Sequence, residues 1–253
     1  VAQLIQSLER GLRILEILGK SDKPLSLGEI TQFFDIDKSS IFRLLSTLTQ
    51  NNFVYQDAET KKYMLGFKIM ELSGAFGEQT KIETFLRPVL KAVCDKTRQN
   101  THLAILHGQE VVFIAVEQPR NGISMHISVG TREPAHATAL GKVLIAFTQK
   151  NEQELLLQGI VFTHYTPHTI VDGDEYRNHL SSIVQNRYAV DDEEYRLGVV
   201  CIAAPVFNHR GEVEYSIGIS GPKDQISPHI ADYITVVQDA GAECSRLLGM
   251  SSR

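Results

Sequence analysis

The chain has little cysteine, no long apolar run and no basic excess, and each shortage removes a class of function. Cys94, Cys201 and Cys244 are its three cysteines, widely spaced and without a CxxC pair. That pattern fits reduced thiols and gives neither a disulfide framework nor a structural zinc signature. No apolar stretch approaches the roughly 18 residues needed to span a bilayer. The opening VAQLIQSLERGLRIL reads as an amphipathic helix rather than a signal peptide, so the protein is expected in the cytoplasm with no membrane partner. The formal charge is −5, and most of the acidic excess lies beyond residue 80. That part has no general attraction for nucleic acid or an anionic membrane. Internal repeats and low-complexity segments are also missing. What remains, 253 residues of which 43% are apolar, is an ordinary globular composition long enough for two domains.

Pro24 to Leu65 carries the strongest local pattern. Ser26 with Glu29 three residues later makes a capping box, and Leu27, Ile30 and Phe34 share one helical face. Asp35, Ile36 and Asp37 form a turn capped at Asp37, after which Ile41, Leu44, Leu45 and Leu48 recur at helical spacing and point into a core. The opposite face of this second helix presents Lys38, Ser39, Ser40, Phe42, Arg43, Ser46 and Thr47. Phe53 to Tyr55 and Lys62 to Leu65 read as strands joined by the polar loop Gln56 to Lys61.

Two helices, a tight turn and a wing make a DNA-reading device. Ser39, Ser40 and the free N–H groups at the helix start suit phosphates, Arg43 is long enough to fork onto a guanine, and Phe42 suits a thymine methyl. Lys61 and Lys62 on the wing would meet the backbone of the adjacent groove. Residues 1 to 80 hold nine Lys or Arg against ten Asp or Glu, so the positive charge must be local and specificity must rest on a few contacts. The bland alternative is a small helical bundle with a solvated Arg43.

Ahead of this segment, Leu8, Leu12, Leu15 and Leu18 form one face of an opening helix that ends at Gly19 and packs behind the other two. After it, Leu65, Ile69, Leu72 and Phe76 follow helix spacing toward a hinge near Gly77. This stripe either dimerises two chains or caps its own wing. From Ile82 a helix precedes a hairpin of Thr101 to Leu106 and Val111 to Val116. Ile123 to Val129 and the segments Val199 to Phe207 and Val213 to Ser220 read as strands. Ala137 to Phe147, Asp174 to Gln185 and Ser227 to Leu248 read as helices, giving an antiparallel sheet with helices around it.

Several separated blocks, in order, carry a family likeness: SLERGLRILEIL (Ser7 to Leu18), DKSSIFRLLSTL (Asp37 to Leu48), KYMLG (Lys62 to Gly66), HATALGKVL (His136 to Leu144), DDEEYRLGVVCIAAPVFN (Asp191 to Asn208) and ISGP (Ile219 to Pro222). On these the chain resembles the IclR family of bacterial transcriptional regulators along almost its full length. The resemblance implies an α+β protein with a winged helix-turn-helix domain over residues 1–65, a linker helix and hinge over 66–81, and a GAF-like effector domain over 82–253. It implies a homodimer or a dimer of dimers on a double-stranded, inverted-repeat DNA operator, answering to a small organic or aromatic acid. The effector positions it implies are Met125, Ala139, Leu140, Asp191, Cys201, Gly218 and Ser220. Some relatives carry serine where this chain has Gly218, and the residue before Tyr188, usually glycine, is Arg187 here.

The chemistry of those residues is consistent with a carboxylate. His136 to Thr138 precede or open a helix, and the N–H groups of Ala139 and Leu140 would point outward at its positive end. Asp191, Cys201 and Ser220 add hydrogen-bonding groups, and Met125 and Leu140 exclude water. His136 is either a ligand contact or a cap or core histidine, and Asp191 either binds ligand or caps its own loop. Gly141-Lys142 lacks the first glycine and the Ser or Thr of a phosphate-binding loop. His102, His107, His126, His136 and Cys201 lack zinc spacing, so neither metal nor cofactor is expected. The competing function is a thiol-dependent enzyme with Cys201 as nucleophile, but no motif places a base beside it.

Overall fold

Ile14 and Leu18 on α1 (Gln6–Gly19), Ile30 on α2 (Leu27–Thr31), and Ile41 and Leu45 on α3 (Lys38–Gln50) are buried together. Val54 and Tyr63 of a hairpin, β1 (Val54–Gln56) with β2 (Tyr63–Leu65), complete this core. The computed structural model describes residues 4–72, 82–119 and 127–250. The chain divides into two units, Val1–Lys81 and Ile82–Arg253.

Local chemistry starts each helix of the first unit. The Ser26 hydroxyl accepts from the Glu29 N–H, and the Glu29 carboxylate accepts from the Ser26 N–H at 2.7 Å, which closes the expected capping box on α2. Asp37 caps α3, as its spacing predicts. Leu25 and Tyr63 exchange both backbone hydrogen bonds, tying the chain before α2 to the wing. The expectation for α1 needs correction. Leu8 and Leu12 are exposed, and the inward face is Gly11, Ile14 and Leu18. This helix has two apolar stripes at helical spacing, and packing buries the one that carries Ile14 and Leu18. Leu4, Ile5, Leu8 and Leu12 form the outer stripe. The chain is helical again over residues 68–72. Phe76 and the expected hinge lie outside the described residues.

Among the described residues of the second unit a six-stranded antiparallel sheet runs in the order Arg132–Pro134, Glu110–Glu117, Asn100–His107, Val213–Pro222, Val199–Phe207 and Ala189–Asp192. Helix α4 (Ile82–Thr97) leads into the hairpin β3 (Asn100–His107) and β4 (Glu110–Glu117). Then come β5 (Arg132–Pro134), the helices α5 (Ala139–Phe147), α6 (Lys150–Gly159) and α7 (Gly173–Asn186), and the edge strand β6 (Ala189–Asp192). The central pair β7 (Val199–Phe207) and β8 (Val213–Pro222) precedes the one-turn α8 (Lys223–Ile226) and the long α9 (Ile230–Leu247).

Strand alternation sorts the two faces. Leu103, Val200, Ile202, Ala204, Ile217 and Ile219 bury against Leu86 and Leu90 of α4 and Val237 and Cys244 of α9. Ala104, Phe113 and Ala203 on the opposite face meet Val143 of α5 and Leu180 of α7.

Three expectations shift here. The described part of Ile123–Val129 is not a strand; β4 pairs instead with Arg132–Pro134, after a turn at Gly130 in the left-handed region. The last helix begins at Ile230 rather than Ser227, because Pro228 sits in a 3-10 turn over Ser227–His229. Helix α6 and strand β6 lie between the recognised elements and were not expected. Arg187 occupies the left-handed position that ends α7, with φ +58, which is the conformation that favours glycine there.

Candidate functional site

The exposed side of α3 carries the residues expected to face DNA, and its N-terminus is already capped. The Asp37 carboxylate accepts from the Ser40 N–H at 2.9 Å, from the Ser40 hydroxyl at 2.8 Å and from the Ser39 hydroxyl. These bonds, the Ser39 one first, hold the Asp37 carboxyl well below the usual range. Ser39 and Ser40 therefore direct their protons at Asp37 instead of outward, which leaves them as acceptors. The Thr47 hydroxyl donates to the Arg43 carbonyl at 3.0 Å. Lys38, Phe42 and Arg43 are exposed, and Arg43 has no ion pair among the described residues. On the wing, Asp57 accepts from the N–H groups of Thr60 and Glu59 and fixes the turn that presents Lys61, itself left-handed at φ +55, beside the half-buried Lys62.

In the second unit a small, partly open pocket, with a cavity volume of about 20 Å3, lies on the α5 side of the sheet. Of the expected residues it brings together Ala139, Leu140, Asp191, Cys201 and Ser220. Thr138 caps α5, its hydroxyl accepting from Gly141 N–H at 3.3 Å, and its carbonyl takes the Lys142 N–H at 2.9 Å. The N–H groups of Ala139 and Leu140 precede the first intrahelical bond and stand at the pocket wall.

Two expected positions, His136 and Gly218, are not in that wall, and a third is not described. Met125 lies outside the described residues. His136 is buried elsewhere, its Nε2 3.2 Å from the Thr163 carbonyl and its ring edge-on to Phe162, so it is a core histidine. Gly218 is the cross-strand neighbour of both His102 and Ala203, and a Cβ there would fall 2.6 Å from the Ile202 carbonyl oxygen. The serine of some relatives does not fit this sheet as it stands.

Other wall residues come from strand pairing that the sequence pattern does not display. His102 Nε2 lies 2.7 Å from the Ser220 hydroxyl, with the ring edge-on to Phe113. Burial pushes the imidazole down to about 3, so it is neutral. Arg196 pairs with Glu133 at 3.0 Å, and burial raises the Glu133 carboxyl. Asp191 does cap its loop, accepting from the N–H groups of Glu194 at 2.7 Å and Tyr195 at 3.3 Å, and it also faces the pocket. Burial pushes its carboxyl up to about 6, against the pull of Lys142. Lys223 pairs with Asp192 and Glu193, so the acidic run orders a loop.

The enzyme reading has no support here. Burial, and then the charges of Asp191 and Glu133, hold the Cys201 thiol well above its ordinary pKa, the reverse of nucleophile activation. Among the described residues no group of three His, Cys, Asp or Glu is placed to hold a metal, and no helix is long and apolar enough to cross a membrane.

A winged helix-turn-helix in one unit and a small pocket in the other are the parts of a DNA-binding transcriptional regulator. Residues 7–58 match the family described as the IclR helix-turn-helix domain, and residues 76–246 match the one described as the bacterial transcriptional regulator IclR C-terminal domain. The chain belongs to the IclR family. It is 33% identical over 247 residues to the HTH-type transcriptional regulator XynR of Escherichia coli K12, covering 97% of this chain and 98% of that protein. The Agobacterium tumefaciens repressor BlcR shares its fold with a TM-score of 0.81 at 24% identity, covering 99% of this chain and all of that one. The inducer-binding domain of a double mutant of PobR from Acinetobacter, solved with 3-hydroxybenzoic acid, aligns at TM-score 0.61 and 25% identity over 66% of this chain and 98% of its own. Family members are transcriptional regulators that bind DNA, not enzymes.

Proposed function

We propose that the chain senses a small organic or aromatic acid in this pocket and, as a dimer or dimer of dimers, sets transcription from an inverted-repeat operator in the cytoplasm. The observation that carries the effector reading is the start of α5 in the pocket wall, where Ala139 and Leu140 line the pocket and their N–H groups precede the first intrahelical bond, a place suited to a carboxylate. The acid held by the PobR domain supports the same chemistry. Lys38, Ser39, Ser40, Phe42, Arg43 and Thr47 on α3, with Lys61 and Lys62 on the wing, form the DNA surface. The exposed stripe Leu4, Ile5, Leu8 and Leu12 supports association of two copies.

Two measurements test this reading. Selection from random duplexes should return an inverted repeat, and a thermal-shift screen of small acids should return ligands that stabilise the C-terminal unit and alter operator affinity. A selected site without two-fold symmetry, or acids that bind without changing operator affinity, would count against it. Leu8→Glu with Leu12→Glu should lower the oligomeric state and weaken operator binding together.

A further inference from the structure

We propose that His102 is a specificity-determining residue and that the acid taken by this pocket carries a hydroxyl group, held by the Ser220–His102 pair. The inference rests on the carboxylate reading above and names the rest of the ligand. Asp191 pairs across β6 and β7 with Cys201, and Cys201 pairs across β7 and β8 with Ser220. These three form a polar row across three strands. His102 joins it from β3: its direct neighbour, Gly218, has no side chain, and the imidazole reaches diagonally to Ser220 at 2.7 Å. All four line the pocket, and His102 Nδ1 is buried without a partner.

A neutral imidazole has one donor and one acceptor nitrogen. When Nε2 accepts the Ser220 proton, the Ser220 oxygen is open to a hydroxyl donor. When Nε2 carries the proton, it donates to Ser220, whose own hydrogen then serves a ligand acceptor. A hydroxyl can meet either arrangement, and Asp191 beside it supplies a further acceptor. An acid without a hydroxyl would cover Ser220, whose described partner is His102 alone, and leave its remaining hydrogen-bonding capacity unmet, which is a situation that discriminates strongly.

The test uses matched probes on the full chain: glycolate with acetate, L-lactate with propionate, and 3-hydroxybenzoate with benzoate, each titrated by calorimetry. At least one hydroxy acid should bind roughly tenfold or more tightly than its partner. His102→Phe, which keeps an aromatic ring against Phe113, should bring the affinities of the two acids of that pair to within about twofold of each other. Ser220→Ala, a smaller change to packing, should erase the preference too. Equal binding within every pair, or a preference that survives both substitutions, overturns the proposal. Binding of the unsubstituted acids alone overturns it while leaving the carboxylate reading standing, and binding of none of the six overturns both.

Discussion

Lys142 and Glu194 form an ion pair inside the C-terminal unit that fastens the helix opening the pocket to the loop closing it. The Lys142 side chain is fully buried and that of Glu194 nearly so, and Lys142 Nζ also donates to the Val190 carbonyl at 2.7 Å. A pair this deep contributes through geometry more than through net energy, because desolvation offsets most of the Coulomb attraction.

Removing one partner should therefore cost far more than removing both. Lys142→Met leaves the Glu194 carboxylate without its cation and should lower the unfolding free energy of the C-terminal unit by about 3–5 kcal/mol. Lys142→Met with Glu194→Leu should recover most of that loss. Urea unfolding of the four members of the cycle measures it, and a double variant as unstable as the single one would show that the pair itself holds the fold.

Gly218 gives a prediction against the family pattern. Gly218→Ser should not restore a ligand contact. Its Cβ would press on the Ile202 carbonyl and on Ala203, forcing a strand shift that costs about 1–3 kcal/mol. Thermal unfolding with the best-binding acid present and absent separates the outcomes. Unchanged stability with tighter binding would mean that the sheet yields at this point.

How much of this was legible follows the distance over which each contact acts. The Ser26–Glu29 box and the Asp37 cap close within three residues, so spacing alone displays them. Ala139, Leu140, Asp191, Cys201 and Ser220 were reachable because HATALGK and the strand motifs match a known family. His102 meets Ser220 across 118 positions and Arg196 meets Glu133 across 63, through a register that no local period encodes. In α1, helical spacing fits two stripes equally, and only packing decides that Ile14 is inside and Leu8 outside.

Asp191 gives the pocket a pH signature. Its folded carboxyl titrates near 6, against about 3.9 in an unfolded chain, so the folded state binds this proton more tightly. Asp191 therefore favours the fold as pH falls through that window and disfavours it as pH rises. His102, His136 and His179, whose imidazoles burial pushes down, act in the opposite sense, so the effect must be read as a difference. The stability of wild type relative to Asp191→Asn should improve as pH is lowered from about 7 to about 4.5. A constant difference over that range would place the Asp191 pKa near its ordinary value.

Arg43 and Lys61 should fail differently when removed, and the difference tests how a unit without basic excess finds its operator. Arg43 is exposed on α3 with no ion pair among the described residues, so a base edge need not compete with a carboxylate for it. Arg43→Ala should cost about 1–3 kcal/mol on the best operator and flatten the preference at one base pair of each half-site. Lys61 stands exposed on a turn fixed by Asp57, and the role proposed for it there is a backbone-phosphate contact. Lys61→Ala should weaken all sequences alike and reduce the salt dependence by about one ion per protomer. Titrating both variants against an operator library at several salt concentrations separates the two roles. If Arg43→Ala proved as indiscriminate as Lys61→Ala, base reading would have to come from Phe42, Thr47 or the shape of the DNA.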